Sequence, residues 1–282
     1  MTSRAEKKID VKKAVKYIKQ YGREVDILRL KHFLGEMSFS EALRTLSKYQ
    51  FPNGGWYYED DPTKTLSIGA STLWLRVLLE LELTNTAIVK RTASFILKHQ
   101  DSDGSWYELK EKLEKSPQAW LNRDVMDNRL WFTISATVFL MASGFENHLG
   151  IKKASNYLSN YWDRHKKFRV TWYPYWAGIA FFANTRGTSS EAFSMCHAYT
   201  MKRLDQYDAF HLGWILNMCK LGNLPASDTL VRASLNRLTF LQRSDGAWSS
   251  KYGNTYCTLF ALNLMRHYGQ INHDNRGNRG TT

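Results

Sequence analysis

The chain is predicted to be all-α, a single (α/α)6-type toroid in which inner and outer helices alternate around a closed double ring. Three observations predict it: a short Gln–Gly–Trp pattern that recurs, amphipathic stretches that lead into that pattern, and apolar segments rich in small residues between them. The pattern reads Gln50-Phe-Pro-Asn-Gly54-Gly-Trp56, Gln100-Asp-Ser-Asp-Gly104-Ser-Trp106 and Gln242-Arg-Ser-Asp-Gly246-Ala-Trp248. The first two Gln residues are 50 apart and the next two 142 apart, close to three further periods. A fixed period of this size marks a repeat architecture, with one unit about two helices long.

Taken in order, residues 10–20 predict an outer helix that completes the outer layer beside the last inner one. The inner segments are read at 24–36, 67–83, 131–144, 174–187, 207–222 and 254–269. They are apolar nearly all round and stop at Gly or another breaker, as buried helices do. Residues 85–100 place Ile88, Ala93, Phe95, Ile96 and Leu97 towards one side and Lys90, Arg91 and Lys98 on the other. Residues 226–242 repeat that periodicity, with Ser227 as the expected N-cap. Asn-Gly and Asp-Gly in the motif supply tight or left-handed backbone. An open solenoid is the competing architecture, because its stacking would read the same way.

Length and composition fit one globular domain: 282 residues, 43% hydrophobic, with no linker or low-complexity tract. Residues 1–8 are expected to fray, 9–270 to form the helical domain, and 271–282 to be a loose tail. Asp60 and Asp61 precede Pro62 in a loop and are expected to face solvent. No segment is long and apolar enough to span a bilayer, so membrane contact is at most peripheral. No apolar stretch follows the N-terminal charges, and no secretory leader is expected. Three isolated cysteines, Cys196, Cys219 and Cys257, argue for reduced thiols and a cytoplasmic location. The net charge of +13 is scattered over helix faces, including Arg164, Lys166 and Lys167. Without a nucleic-acid motif it reads as a solvated surface or an attraction for an anion such as a prenyl diphosphate.

Gln-x-x-x-Gly-x-Trp after an outer helix, followed by a small-residue inner helix, resembles the QW-type repeat of the terpenoid cyclase and protein prenyltransferase superfamily. The resemblance runs over residues 28–268. It implies that each Gln ties a helix terminus to the turn and that each Trp stacks on the neighbouring repeat. Two chemistries follow from it. In prenyltransferase β subunits a zinc ion is held by Asp, Cys and His. Here Asp208 matches the Asp, but Phe210 and Asn254 stand at the other two places, and neither is a good zinc ligand. No metal or other cofactor is therefore expected, and no obligate protein partner. Class II cyclases protonate an alkene with the middle Asp of an Asp-x-Asp-Asp run. Two partial echoes exist, Asp205-Gln-Tyr207-Asp208 and Asp124-Val-Met-Asp127.

The residues themselves add a weaker constellation. Asp208 and His211 share a helix face, so the imidazole can bond the carboxylate. Asp208 is then the candidate acid or base, His211 its tuner, and Tyr207 an alternative proton carrier or cation stabiliser. Helix capping is the plain alternative for Asp205, Asp208, Asp124 and Asp127. Aromatics make up 14% of the chain and gather near the inner segment starts: Trp131, Phe132, Trp172, Trp176, Phe210, Trp214, Tyr252 and Tyr256. As a set they suit a pocket for an apolar polyene, each ring face stabilising a carbocation by ~1–2 kcal/mol when desolvated. One by one, they read as core.

The function expected is thus acid–base cyclisation or isomerisation of a short isoprenoid or similar apolar substrate, by an enzyme of the isomerase or lyase type. One ring suits a chain shorter than squalene. Two other readings stand beside it. The first is a non-catalytic toroid binding a lipid, a prenylated ligand or a protein segment. The second is unrelated chemistry, such as carbohydrate cleavage, on the same helical ring.

Overall fold

The computed structural model describes residues 7–115, 121–122, 124–168, 173–251 and 253–271. Trp172 and Tyr252 lie outside the described residues, as do 1–6 and 272–282 of the expected loose ends. The helices run α1 Val11–Tyr21, α2 Glu24–Leu34, α3 Phe39–Ser47, α4 Ile68–Glu80, α5 Ala87–Lys98, α6 Lys110–Lys115, α7 Met126–Leu140, α8 Leu149–His165, α9 Tyr173–Arg186, α10 Glu191–Lys202, α11 Ala209–Leu221, α12 Thr229–Leu241 and α13 Asn254–His267. Among the described residues the only β pairing is an isolated bridge, Trp56 to Ser67.

The six apolar segments become α2, α4, α7, α9, α11 and α13, alternating with α1, α3, α5, α8, α10 and α12; α6 is an addition. Three local expectations are corrected. Helix α7 starts at Met126, five residues before the apolar run, because a polar first turn can extend it outward. Asp228, not Ser227, caps α12, accepting from the Leu230 and Val231 amides at 2.9 and 3.1 Å. Lys7, expected to fray, donates its ammonium to the Phe240 and Gln242 carbonyls at 2.7 Å each.

Contacts divide the chain into two compact units, Met1–Ala42 with Thr200–Thr282, and Leu43–Tyr199. In the first, α13 packs on both α11 and α2; α12 lies on α11, and α1 lies on α13 and α2. The N-terminal helix therefore sits beside the last apolar helix, as its sequence position suggested. In the second, α7 packs on α4, α9 and α8, and α5 packs on α4.

The three Gln–Gly–Trp turns share one geometry. Each Gln donates from Nε2 to the carbonyl of its own glycine, Gly54, Gly104 or Gly246, at 2.9–3.2 Å. The same nitrogen reaches the start of another amphipathic helix: Ile88 O at 3.0 Å, Gly150 O at 2.7 Å or Asp10 O at 3.1 Å. Each Trp amide donates to a hydroxyl on the next apolar helix, Ser71, Thr133 or Thr258, at 2.9–3.0 Å. The indoles of Trp56, Trp106 and Trp248 are fully buried. Their Nε1 groups are also satisfied, by Thr92 Oγ1, Ile96 O and Leu238 O, so burial leaves no orphan donor. The glycines have φ near +90°, the left-handed region that side chains resist.

A buried ionic cluster was not foreseen. Asp61 and Lys112 form an ion pair at 2.8 Å with side chains 2% and 1% exposed. This corrects the expectation that Asp61 faces solvent; only Asp60 does. Nearby, Glu108 takes the Ser67 hydroxyl at 2.5 Å and the Ile68 and Leu109 amides at 2.8 and 2.9 Å. It thereby closes the N-terminus of α4, where carboxylates are favoured. Burial is the largest influence on Glu108 and keeps its pKa above the usual range against those hydrogen bonds.

The three cysteines are buried. Burial pushes the Cys257 thiol up to about 12, and those of Cys196 and Cys219 also upward. Native protein is expected to show no thiol reactive to Ellman's reagent until it unfolds. One equivalent titrating rapidly in buffer would contradict this burial.

Candidate active site

The first unit gathers chemistry at the starts of α2, α11 and α13. Asp208 is the N-cap of α11, its Oδ1 accepting from the His211 amide at 3.0 Å. His211 returns, with Nδ1 2.8 Å from the same oxygen. The pairing foreseen at three-residue spacing is therefore formed, and so is the capping that was its alternative. The side chains are 12% exposed for His211 and 41% for Asp208. Burial raises the Asp208 pKa, but the hydrogen bonds from His211 outweigh it and hold the carboxyl below its usual range. An ionised carboxylate accepts or orients; it does not donate. Of the two roles expected for Asp208, acid or base, an ionised carboxylate suits the base.

Tyr207 is 1% exposed, and its carbonyl takes the Arg237 Nε–H at 3.1 Å. Arg237 also meets Asp205, whose side chain is fully exposed. Phe210 is partly open, with its ring 6.1 Å from Tyr256 and 6.3 Å from Trp214. Trp214 is 3% exposed and fills the core. Arg29 stands 5.1 Å over the Tyr256 ring and is paired with Asp26 at 3.8 Å. Asp26 also accepts from Thr255 Oγ1 at 3.0 Å. Asp26 and Arg29, both buried, were missed, although a charged pair three residues apart inside an apolar segment was the available signal.

The second unit separates its two carboxyls. Asp124 is exposed in a turn, and Asp127, in the first turn of α7, is 4% exposed. Trp131 is partly open, 5.6 Å from Tyr173, which in turn lies 5.2 Å from Trp176. Phe132 and Trp176 are 3% and 0% exposed, so the core reading fits these two. Among the described residues no group of three His, Cys, Asp or Glu is placed to hold a metal ion, and no helix is long and apolar enough to cross a membrane.

No protein-family model matches the chain, and no curated protein matches it. Solved structures do. A protein from Actinoplanes superposes with a TM-score of 0.62 at 13% identity, over 92% of this chain and 98% of that one. The apo form of the type II terpene cyclase MstE from Scytonema gives 0.60 at 11% identity, over 93% and 98%. A substituted MstE in complex with its substrate, geranylgeranyl dihydroxybenzoate, gives 0.53 at 12% identity, over 92% and 87%. The likeness is one of fold: this chain has the all-helical α/α-toroid fold of a terpene cyclase.

Proposed function

We propose that the chain is a terpene-cyclase-like enzyme that cyclises or isomerises a short isoprenoid, or a similarly apolar molecule, by acid–base chemistry. The observation that carries this reading is the half-open carboxylate–imidazole pair at the start of α11, with the Phe210 ring 5.8 Å from the imidazole and the Tyr256 ring beside Phe210. Asp208 holds the His211 ring through Nδ1, with its carboxylate at 2.8 Å and its amide N–H at 3.4 Å, and the pair is proposed to exchange the proton with substrate. Aromatic faces beside such a base lower the energy of a passing carbocation. That a cyclase of this fold holds a geranylgeranyl-bearing substrate supports an apolar, prenyl-bearing ligand here.

The test is incubation with linear prenyl alcohols and diphosphates, from geranyl to geranylgeranyl, followed by gas chromatography–mass spectrometry. A cyclised or isomerised product is expected, falling about 10²-fold or more in Asp208→Asn with the melting temperature kept. A blank across the series, with no ligand-induced rise in melting temperature, would overturn the proposal.

A further inference from the structure

The first unit carries a concentration of positive charge on its outside that the proposed chemistry does not use. Residues 7–21 hold six lysines and one carboxylate, Asp10. Helix α1 lies on α13 and α2, with Ala14 and Ile18 fully buried. Its opposite side is drawn from Lys12, Lys16 and Lys19, spaced by four and three so that they form one row. All three are exposed, and so is Lys8, which leads into the row. The row runs about 10 Å along a convex helix face.

The chain does not neutralise this charge itself. Asp10 is taken by Lys13, 3.6 Å away, and Lys7 is committed to the Phe240 and Gln242 carbonyls. Lys8, Lys12, Lys16 and Lys19 have no carboxylate at ion-pair distance among the described residues. Like charges three and four residues apart destabilise a helix, so an external anion that neutralises the row also removes a repulsion. A second observation adjoins the first. Phe240, near the end of α12, is 63% exposed, and the Lys7 ammonium lies 5.7 Å over its ring. The Asp10 amide donates to Gln242 Oε1 at 2.9 Å, which fixes the start of α1 beside the end of α12. The exposed ring therefore sits at the leading end of the lysine row.

We propose that this face of α1 docks on an anionic lipid bilayer. Lysines beside an exposed aromatic ring are what interfacial segments use: the ammoniums meet the negative headgroups, and the ring enters the boundary beneath them. The row is convex and holds no guanidinium fork, so it suits a flat, diffuse layer of charge better than one bound phosphate. A nucleic-acid duplex would meet the lysines but offer Phe240 no apolar layer to enter. This surface stands independently of the isoprenoid reading.

The test is co-sedimentation of the full chain with phosphatidylcholine vesicles containing about one-third phosphatidylserine, and with pure phosphatidylcholine vesicles, at low and high salt. Binding is expected with the anionic vesicles only, and it is lost at high salt. Lys12→Gln/Lys16→Gln/Lys19→Gln is expected to weaken it about 10²-fold, with the melting temperature kept or raised and any isoprenoid product unchanged. Phe240→Ser is expected to weaken it about fivefold. The control Lys90→Gln/Lys98→Gln/Lys152→Gln removes the same charge from exposed positions on α5 and α8 and is expected to bind as the wild type does. No binding to the anionic vesicles, binding to phosphatidylcholine alone, or equal losses in the two triple variants overturns the docking surface. Unchanged binding by Phe240→Ser, or tighter binding per phosphate to a short DNA duplex, overturns the choice of a bilayer.

Discussion

Replacing Lys112 by Met is expected to destabilise the protein by about 3–5 kcal/mol at neutral pH. The ammonium and the Asp61 carboxylate are 2.8 Å apart and almost fully enclosed. Removing one leaves the other desolvated and uncompensated, which costs more than the pair gains over apolar replacements. Burial raises the Asp61 pKa, but Lys112 and the donors of Thr63 and Thr65 outweigh it and bring it to about 2, below the ordinary 3.8. A carboxylate with a depressed folded pKa contributes stability that is present above its unfolded value and lost as pH falls through the folded one. The wild type is therefore expected to lose this contribution between about pH 4 and pH 2. The gap between wild type and Lys112→Met narrows over the same interval. Urea unfolding at neutral and acid pH measures both effects. The double variant Asp61→Leu/Lys112→Met is expected to recover much of the loss. A single Lys112→Met as stable as wild type at pH 7 would show that the pair is not enclosed.

The second large effect is expected at Gly54. Alanine there faces two separate penalties. The backbone at φ +90° is strained for any side chain, and the added Cβ falls 2.2 Å from the Arg91 carbonyl oxygen on α5. Together these predict a loss of roughly 2–5 kcal/mol. Gly35 separates the two causes, because it has φ +72° with nothing within 4 Å of an added Cβ. Gly35→Ala is expected to cost only about 1–2 kcal/mol. Thermal unfolding of the two variants gives the comparison. Equal losses would mean that the turn does not press against α5, and that the repeat is held by its hydrogen bonds alone.

Helix placement was legible because it rests on local periodicity. The apolar runs in α4, α9, α11 and α13 declare burial by themselves, and the Gln–Gly–Trp turns declare the period. What stayed hidden depends on partners distant in sequence. Asp61 reads as a loop residue before Pro62, and only the fold brings Lys112, 51 positions later, against it. Glu108 carries no local sign that it will close α4. The site was half legible in the same sense. The spacing of Asp208 and His211 predicted their contact, because three helical residues fix it. The lowered pKa of Asp208 was not legible, because it depends on how burial and the hydrogen bonds from His211 balance in the folded chain. The aromatics show a similar division. Trp176 and Phe132 are core, while Phe210, Tyr256 and Trp131 remain partly open, and composition alone does not separate the two groups.

The central claim, proton-initiated chemistry on an isoprenoid, is tested most directly by running the prenyl series in deuterium oxide and weighing the products. A cyclised or isomerised product that carries solvent deuterium is expected, and it is lost in Asp208→Asn. Substrate returned unchanged and unlabelled by a folded protein would contradict it.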